Sequence, residues 1–333
     1  HHRPAHAGPR RRPAHERHRR LRPRGRKEPA IVLDRFSPNL RGMIALTLST
    51  ILFTFSDALA KLASQHWPVA QVLAIRSVVA IALMVAVLRF TGEMRRLATL
   101  RRPMLVLRSV VEAALALTVV SALAIMPLAD ITTILMLAPA AITAIANLFL
   151  GEDVGWRRWS AIAVGFLGML LVVQPGAAVS AAPGYMLGVI LGLVSVVGIA
   201  ARDILTRRIS DDVPTTIITV GTLLATLAGS LLLSLFFPWR PLAPLPFVQV
   251  ALAAVIVTAG NFFVIVACRG VDLSVVAPYR YSAVIWSIAA GYLIFGDLPN
   301  RLALAGMAIV AASGVYLMHR GRVRRGEARR SGR

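Results

Sequence analysis

The chain has 333 residues, 57% of them hydrophobic, with a mean hydropathy of +0.70 and a formal charge of +22. That apolar share exceeds what a soluble domain carries. The basic residues collect in the tails and alternate loops, which argues for orientation in a lipid bilayer and against nucleic acid as the partner. The single cysteine, Cys268, excludes an internal disulfide framework, and only His66 and His319 stand outside the first eighteen residues. The apolar body therefore offers no histidine-rich metal site, and no cofactor is expected.

Residues 1–41 hold thirteen Lys/Arg among Pro, His, Gly and Ala, a composition that cannot bury a core and is expected to be a disordered basic extension. Because it starts at His1 and is built from residues with GC-rich codons, a fragment or translated upstream sequence is one expectation. A basic arm on anionic lipid is the other.

Ten spans are predicted in chain order: 43–63, 69–88, 104–125, 130–150, 157–174, 184–206, 215–236, 247–268, 272–295 and 301–319. Each approaches the 20 or so residues that cross a hydrocarbon core of about 30 Å. Ala58-Leu59-Ala60 imitates a signal-peptidase site, but the later spans favour a retained first helix.

The end of the first span, Phe55 to Pro68, has a counterpart at Ala201 to Pro214. Asp57 matches Asp203, Leu59 Leu205, Lys61 Arg207, Ser64 Ser210 and Pro68 Pro214, all at an offset of 146. An acid, a base and a proline in the same order indicate a duplicated unit. The expected organisation is a first five-helix repeat at 42–175, a second at 184–319 and a basic cytoplasmic tail at 320–333.

Alternate loops carry Arg89, Arg95, Arg96, Arg101 and Arg102, then Arg157 and Arg158, Arg207 and Arg208, and Arg269, whereas the other set offers Arg240 and Arg301, plus Lys61 at a helix end. The positive-inside rule then puts both termini in the cytoplasm, and five spans per half invert the second half. The fold class expected is an all-α membrane protein with ten transmembrane helices in two inverted repeats.

Smaller signals refine this. Gly184, Gly188 and Gly192 form a stripe suited to close helix packing. Pro139 and Pro278 interrupt the fourth and ninth spans, so the carbonyls they free must face protein or a water-filled cavity. Leu150-Gly151-Glu152 and Phe295-Gly296-Asp297 read as glycine helix stops followed by an acid, and Asp130 and Asp272 as first-turn acids.

With these pieces assembled, the chain resembles the EamA-domain type of the drug/metabolite transporter superfamily. The matching residues are Pro127-Leu-Ala-Asp130, the block from Ala138-Pro139 to Gly151-Glu152, Pro278-Tyr-Arg-Tyr-Ser282 and Gly296-Asp297. Pro278 to Ser282 and Trp286 are similar to the branch that includes bacterial S-adenosylmethionine and riboflavin importers; other branches export amino acids or metabolites. The resemblance implies a ten-helix carrier in the bacterial inner membrane.

Ionisable residues inside spans cost about 2.5–3.5 kcal/mol each on insertion scales and so require a reason. Arg76, Arg280 and the i,i+4 pair Arg108/Glu112 are of this kind, and Asp57/Lys61 and Asp203/Arg207 repeat that spacing. The six residues of these three pairs are candidate ion-pair or coupling residues; the equal alternative is structural pairing at a helix end for Asp57/Lys61 and Asp203/Arg207, and an arginine snorkelling to the interface with its acid partner for Arg108/Glu112. Arg280, Tyr279, Tyr281, Trp286, Arg76 and Asn261 are the candidate substrate contacts. Arg280, two residues after Pro278 and beside two aromatic rings, is expected to face a central cavity; a buried structural pair with Glu112 or another carboxylate is the other reading.

A nucleotide-driven pump needs a P-loop lysine, yet the two lysines, Lys27 and Lys61, follow no such loop, so no nucleotide-hydrolysing subunit is encoded here. H-E-x-x-H and G-x-S-x-G are missing as well, which disfavours an enzyme. The expected function is a secondary transporter for a small amphipathic metabolite, not an enzyme. An exporter of the same fold, a channel and an intramembrane enzyme are the alternatives.

Overall fold

A computed structural model describes residues 37–150, 155–175, 183–209, 213–268 and 277–330. The basic segment before Ser37 lies outside the described residues, as do Glu152, Asp272 and Arg269, and so does the Arg207 side chain.

Every element among the described residues is helical. The first half holds α1 (Pro38–Ser64), α2 (Val69–Thr91), a 3₁₀ segment (Glu93–Arg101), α3 (Pro103–Ile125), α4 (Leu128–Leu135), α5 (Ala138–Leu150) and α6 (Trp156–Val173). The second holds α7 (Tyr185–Arg207), α8 (Thr215–Leu233), α9 (Pro244–Cys268), a 3₁₀ turn (Ala277–Tyr281), α10 (Ser282–Ala290), a π turn (Gly291–Phe295) and α11 (Arg301–Arg330). Nine stretches among the described residues are long and apolar enough to cross a membrane, α4 and α5 counting as one. The predicted spans 43–63 to 247–268 and 301–319 coincide with them within a few residues. Of the predicted 272–295 span, the described part divides into 3₁₀, α and π turns.

Both prolines act where their chemistry requires. Pro139 lacks an N–H and its ring crowds the carbonyl four residues back, at Leu135, where α4 ends. The Met136 carbonyl freed by that break accepts the Tyr281 hydroxyl at 3.4 Å. Pro278 lies in the 3₁₀ turn that opens the described part of the ninth span.

The helices are apolar on their outer faces too: Leu187, Ile190, Val194 and Val197 of α7 are each more than half exposed. A helix hydrophobic all round belongs in lipid. On the opposite side of α7, a Cβ at Gly188 would meet Met126 Sδ at 3.0 Å, and one at Gly192 would meet Ile131 Cδ1 at 2.9 Å. These two glycines therefore seat α7 on α3 and α4, as the stripe predicts. Gly184 plays another part: it precedes the helix with φ +82°, a left-handed turn that glycine adopts without strain.

The principal core joins Ala58 of α1, Leu123 of α3, Ile131 and Ile134 of α4, Val189 of α7 and Val310 of α11. Among helix pairs, α1 packs on α9, α6 on α11, α3 on α7 and α8, and α2 on α8 and α9. The α1–α2 turn is also stitched to the α8–α9 loop. Gln71 exchanges two bonds of 2.9 Å with the Arg240 backbone, and Arg240 Nη1 donates to the His66 carbonyl at 2.9 Å.

Candidate functional site: a polar track between the halves

Ionisable side chains gather at three levels along the bundle. At the Ser64 end, the nearly buried Lys61 of α1 donates from Nζ to the Met126 carbonyl at the end of α3, 2.8 Å away. Its ammonium also lies 3.8 Å from Asp297 Oδ2 and 4.7 Å from the centre of the Phe295 ring. Gly296 makes this possible: its left-handed φ of +73° closes the π turn and swings Asp297 back towards α1. Close by, Tyr185 at the start of α7 donates its hydroxyl to Asp130 Oδ2 at 2.8 Å, a buried bond. Asp130 also acts electrostatically on Lys61, so the Ser64 end holds one connected knot.

At the opposite end, near Arg102, the i,i+4 pair forms as its spacing predicts, with Arg108 Nη2 2.8 Å from Glu112 Oε2. Glu112 has a second cation, Arg202 of α7, at 3.3 Å. Arg202 in turn clamps Asp203 with two nitrogens at 2.8 and 2.9 Å. Arg108 donates to the hydroxyls of Thr206 on α7 and Thr222 on α8. Three helices are thus tied by a charge-assisted network whose charged side chains remain only 14–30% exposed.

Between these levels lie Asp57 and Arg76. Each is seven residues from the shared α1–α2 end, so both sit roughly 10 Å down their helices. No hydrogen bond or ion pair within 4 Å joins them among the described residues. Both keep partial exposure.

The Asp57/Lys61 pairing read from spacing is accordingly redrawn. Asp57 and Lys61 do not pair with each other: Lys61 turns to Met126 and Asp297. Asp203 pairs with its neighbour Arg202, the Arg207 side chain being outside the described residues.

The expected aromatic cavity around Arg280 also divides. Tyr279 and Tyr281 line an apolar groove of about 580 Å³ between α10 and α11, with Val284, Ile288 and Met307; Arg280 does not line it. Tyr281 is buried, its hydroxyl lodged in the notch left by Gly314. Arg280 is exposed and takes no ion pair among the described residues, Glu112 included. Trp286 leaves its indole N–H buried without a partner among the described residues, and Asn261 is exposed on α9.

Residues that spacing missed are Asp130, Tyr185, Asp297, Arg202, Thr206 and Thr222. One signal was available for Arg202: an adjacent Arg-Asp pair inside an apolar helix is itself costly without a role.

These features can be set beside known proteins. The family model described as the EamA-like transporter family matches residues 40–174 and again 186–319. The pseudopaline exporter of Pseudomonas aeruginosa is 25% identical over 83% of this chain and 95% of its own length. The S-adenosylmethionine uptake transporter of Rickettsia conorii is 24% identical over 59% and 65%. The riboflavin transporter of Rhizobium johnstonii is 30% identical over 60% and 64%. A crystal structure of a protein 20% identical superposes with a TM-score of 0.59, covering 85% of this chain and 99% of the other, which shows a shared fold. With the family model matching both halves of a multi-span helical bundle, the chain belongs to the EamA-like transporter family.

Proposed function

We propose that this protein is a secondary transporter that moves a small amphipathic metabolite across the bacterial inner membrane by alternating access. In this reading ten helices form two inverted five-helix repeats, both termini are cytoplasmic, and the segment 277–295 belongs to the ninth span. The packing supports the symmetry. Exchanging each span with the one five places on turns the α1–α9 contact into α7–α3 and the α2–α9 contact into α8–α3, and it returns α6–α11 and α2–α8 to themselves.

The observation that carries the proposal is the placement of polar links between the halves. Lys61–Asp297 and Tyr185–Asp130 close the Ser64 end, and Arg108/Glu112 with Arg202 close the Arg102 end. Asp57 and Arg76 stand between these two levels. A carrier that opens at one end at a time needs breakable contacts at both ends and a polar station between them. The links are modest in number and, the buried Tyr185–Asp130 bond apart, partly exposed, so breaking one set while keeping the other is energetically within reach of substrate binding. Arg280, with its exposed guanidinium, remains a proposed substrate contact, as do Trp286 and Asn261. Tyr279 and Tyr281 are proposed to support the Arg280 segment from the groove side.

Counterflow in proteoliposomes tests the mechanism. Excess unlabelled substrate inside should drive transient, saturable accumulation of labelled substrate, where a channel gives only equilibration. Pseudopaline, S-adenosylmethionine and riboflavin are the first compounds to assay, and flux that never saturates would reject the carrier. Topology is tested separately. Cysteines at Ser64 and Asn300 should react with an impermeant thiol reagent added to intact cells, and one at Gly155 should not. Labelling at Gly155 would overturn the orientation, which rests on loop arginines.

A further inference from the structure

We infer that the start of α6 and the far end of α11 together bind an anionic phospholipid of the surrounding bilayer. Arginines of both helices hold its phosphate, and exposed indoles flank its glycerol region. This occupant is distinct from any transported substrate.

The two helices run antiparallel in a register fixed at three levels. Gly168 meets Gly306, Gly165 meets Ser313, and Ala161 shares a core cluster with Leu317. One further turn and a half along this register, Trp156 stands level with about residue 322. There α6 presents Trp156, 74% exposed, with the Arg157 guanidinium 5.6 Å from its ring centre, and Trp159 also lies exposed. Indoles at the end of an apolar span sit at headgroup depth.

Helix α11 is longer than the membrane needs. Its 30 residues measure about 45 Å, whereas the apolar stretch Arg301–His319 already matches a hydrocarbon core of about 30 Å. The remaining turns therefore pass through the headgroup layer beside α6. They carry six arginines against one acid, Glu327, together with Gly321 and Gly326. Such a stretch has little helical stability of its own, since glycine disfavours a helix and Arg320/Arg324 and Arg325/Arg329 set like charges four apart. A row of phosphates alongside turns that repulsion into attraction.

Charge complementarity thus names the partner. The first turn of α6 holds Arg157 and Arg158 and no acid, although cations oppose the helix dipole there. Even counting Glu152 and Asp153, which lie outside the described residues, arginines dominate the acids on these two tips. A phosphodiester supplies the missing negative charge, and its acyl chains continue down the apolar outer faces of the spans. Because α6 ends the first family match and α11 the second, a lipid held at both tips bridges the halves.

The test uses the full chain purified in detergent, with melting temperature and native mass spectrometry as readouts. A lipid that binds only the folded state must raise its stability. Phosphatidylglycerol and cardiolipin should stabilise the protein and stay bound, and phosphatidylcholine, phosphatidylethanolamine and inorganic phosphate should not. Two variants, Arg157→Gln/Arg158→Gln and Arg320→Gln/Arg322→Gln/Arg324→Gln/Arg325→Gln, should each bind the anionic lipids ~10-fold or more weakly. Either suffices should the other insert poorly. Arg95→Gln/Arg96→Gln, which removes two exposed arginines of the 3₁₀ segment, should bind as the unaltered chain does. Equal stabilisation by phosphatidylcholine or inorganic phosphate, unchanged lipid binding in the α6 and α11 variants, or an equal loss in Arg95→Gln/Arg96→Gln would overturn the inference.

Discussion

Gly306→Val should leave little folded protein. Gly306 on α11 and Gly168 on α6 cross backbone to backbone: a Cβ at position 306 would overlap the Gly168 carbonyl oxygen and lie 2.9 Å from Val172 Cγ2. Reciprocally, a Cβ at Gly168 would stand 2.9 Å from the Gly306 carbonyl. Overpacking costs about 1–3 kcal/mol where side chains can shift aside. Here the obstacle is main chain, so α6 and α11 must separate and give up the close approach that holds lipid-embedded helices together. Gly229→Ala is the matched control, since its nearest neighbour is the movable Leu117 Cδ1 at 3.4 Å. Size-exclusion profiles and melting curves in detergent should show loss of the monodisperse peak for Gly306→Val and near-native behaviour for Gly229→Ala. A native profile for Gly306→Val would mean that the two helices do not meet as described.

The spans were legible because a membrane imposes a length and a composition on each one, and a run such as Val69–Thr91 has little freedom to be anything else. The break before Pro139 was legible for a local reason, the missing N–H and the ring clash. Partner choice was not. Glu112 reaches Arg202 across 90 residues of sequence, and Lys61 binds a carbonyl, Met126 O, which no residue-type pattern marks. The i,i+4 rule succeeded for Arg108/Glu112, where both side chains lie on one helix face and point into the same crowded space. At Asp57/Lys61 the same spacing was satisfied, but two stronger local attractions pulled the pair apart: the free carbonyl of Met126 and the acid that Gly296 presents at 297. Asp297 followed a glycine helix stop as the sequence suggests, and only the tertiary fold carries that acid to Lys61. The aromatic setting of Arg280 failed on helix type. In the 3₁₀ turn Ala277–Tyr281 the side chains of 279 and 281 line the α10–α11 groove without the residue between them.

Glu112→Gln should be the most damaging single charge change in the bundle. The Glu112 carboxylate serves two cations, Arg108 at 2.8 Å and Arg202 at 3.3 Å, and its removal leaves both guanidiniums with Asp203 as the one remaining acid of the network. The network is partly exposed, so the expected cost is about 3 kcal/mol, below or at the low end of a fully buried pair and well above a surface one. The mechanism makes a sharper statement about the double variant Arg108→Met/Glu112→Met. That change removes one positive and one negative charge together, leaving the neutral Arg202–Asp203 clamp intact and filling the vacated space with apolar atoms. It should recover most of the melting temperature lost in Glu112→Gln, a coupling of about 1–3 kcal/mol in a double-mutant cycle. Transport should not recover with it, because α3 and α7 then lack a charged contact able to break and re-form at the Arg102 end. Restored counterflow in the Met/Met protein would reduce the network to a structural tie, and an undisturbed melting curve for Glu112→Gln would show that it is not even that.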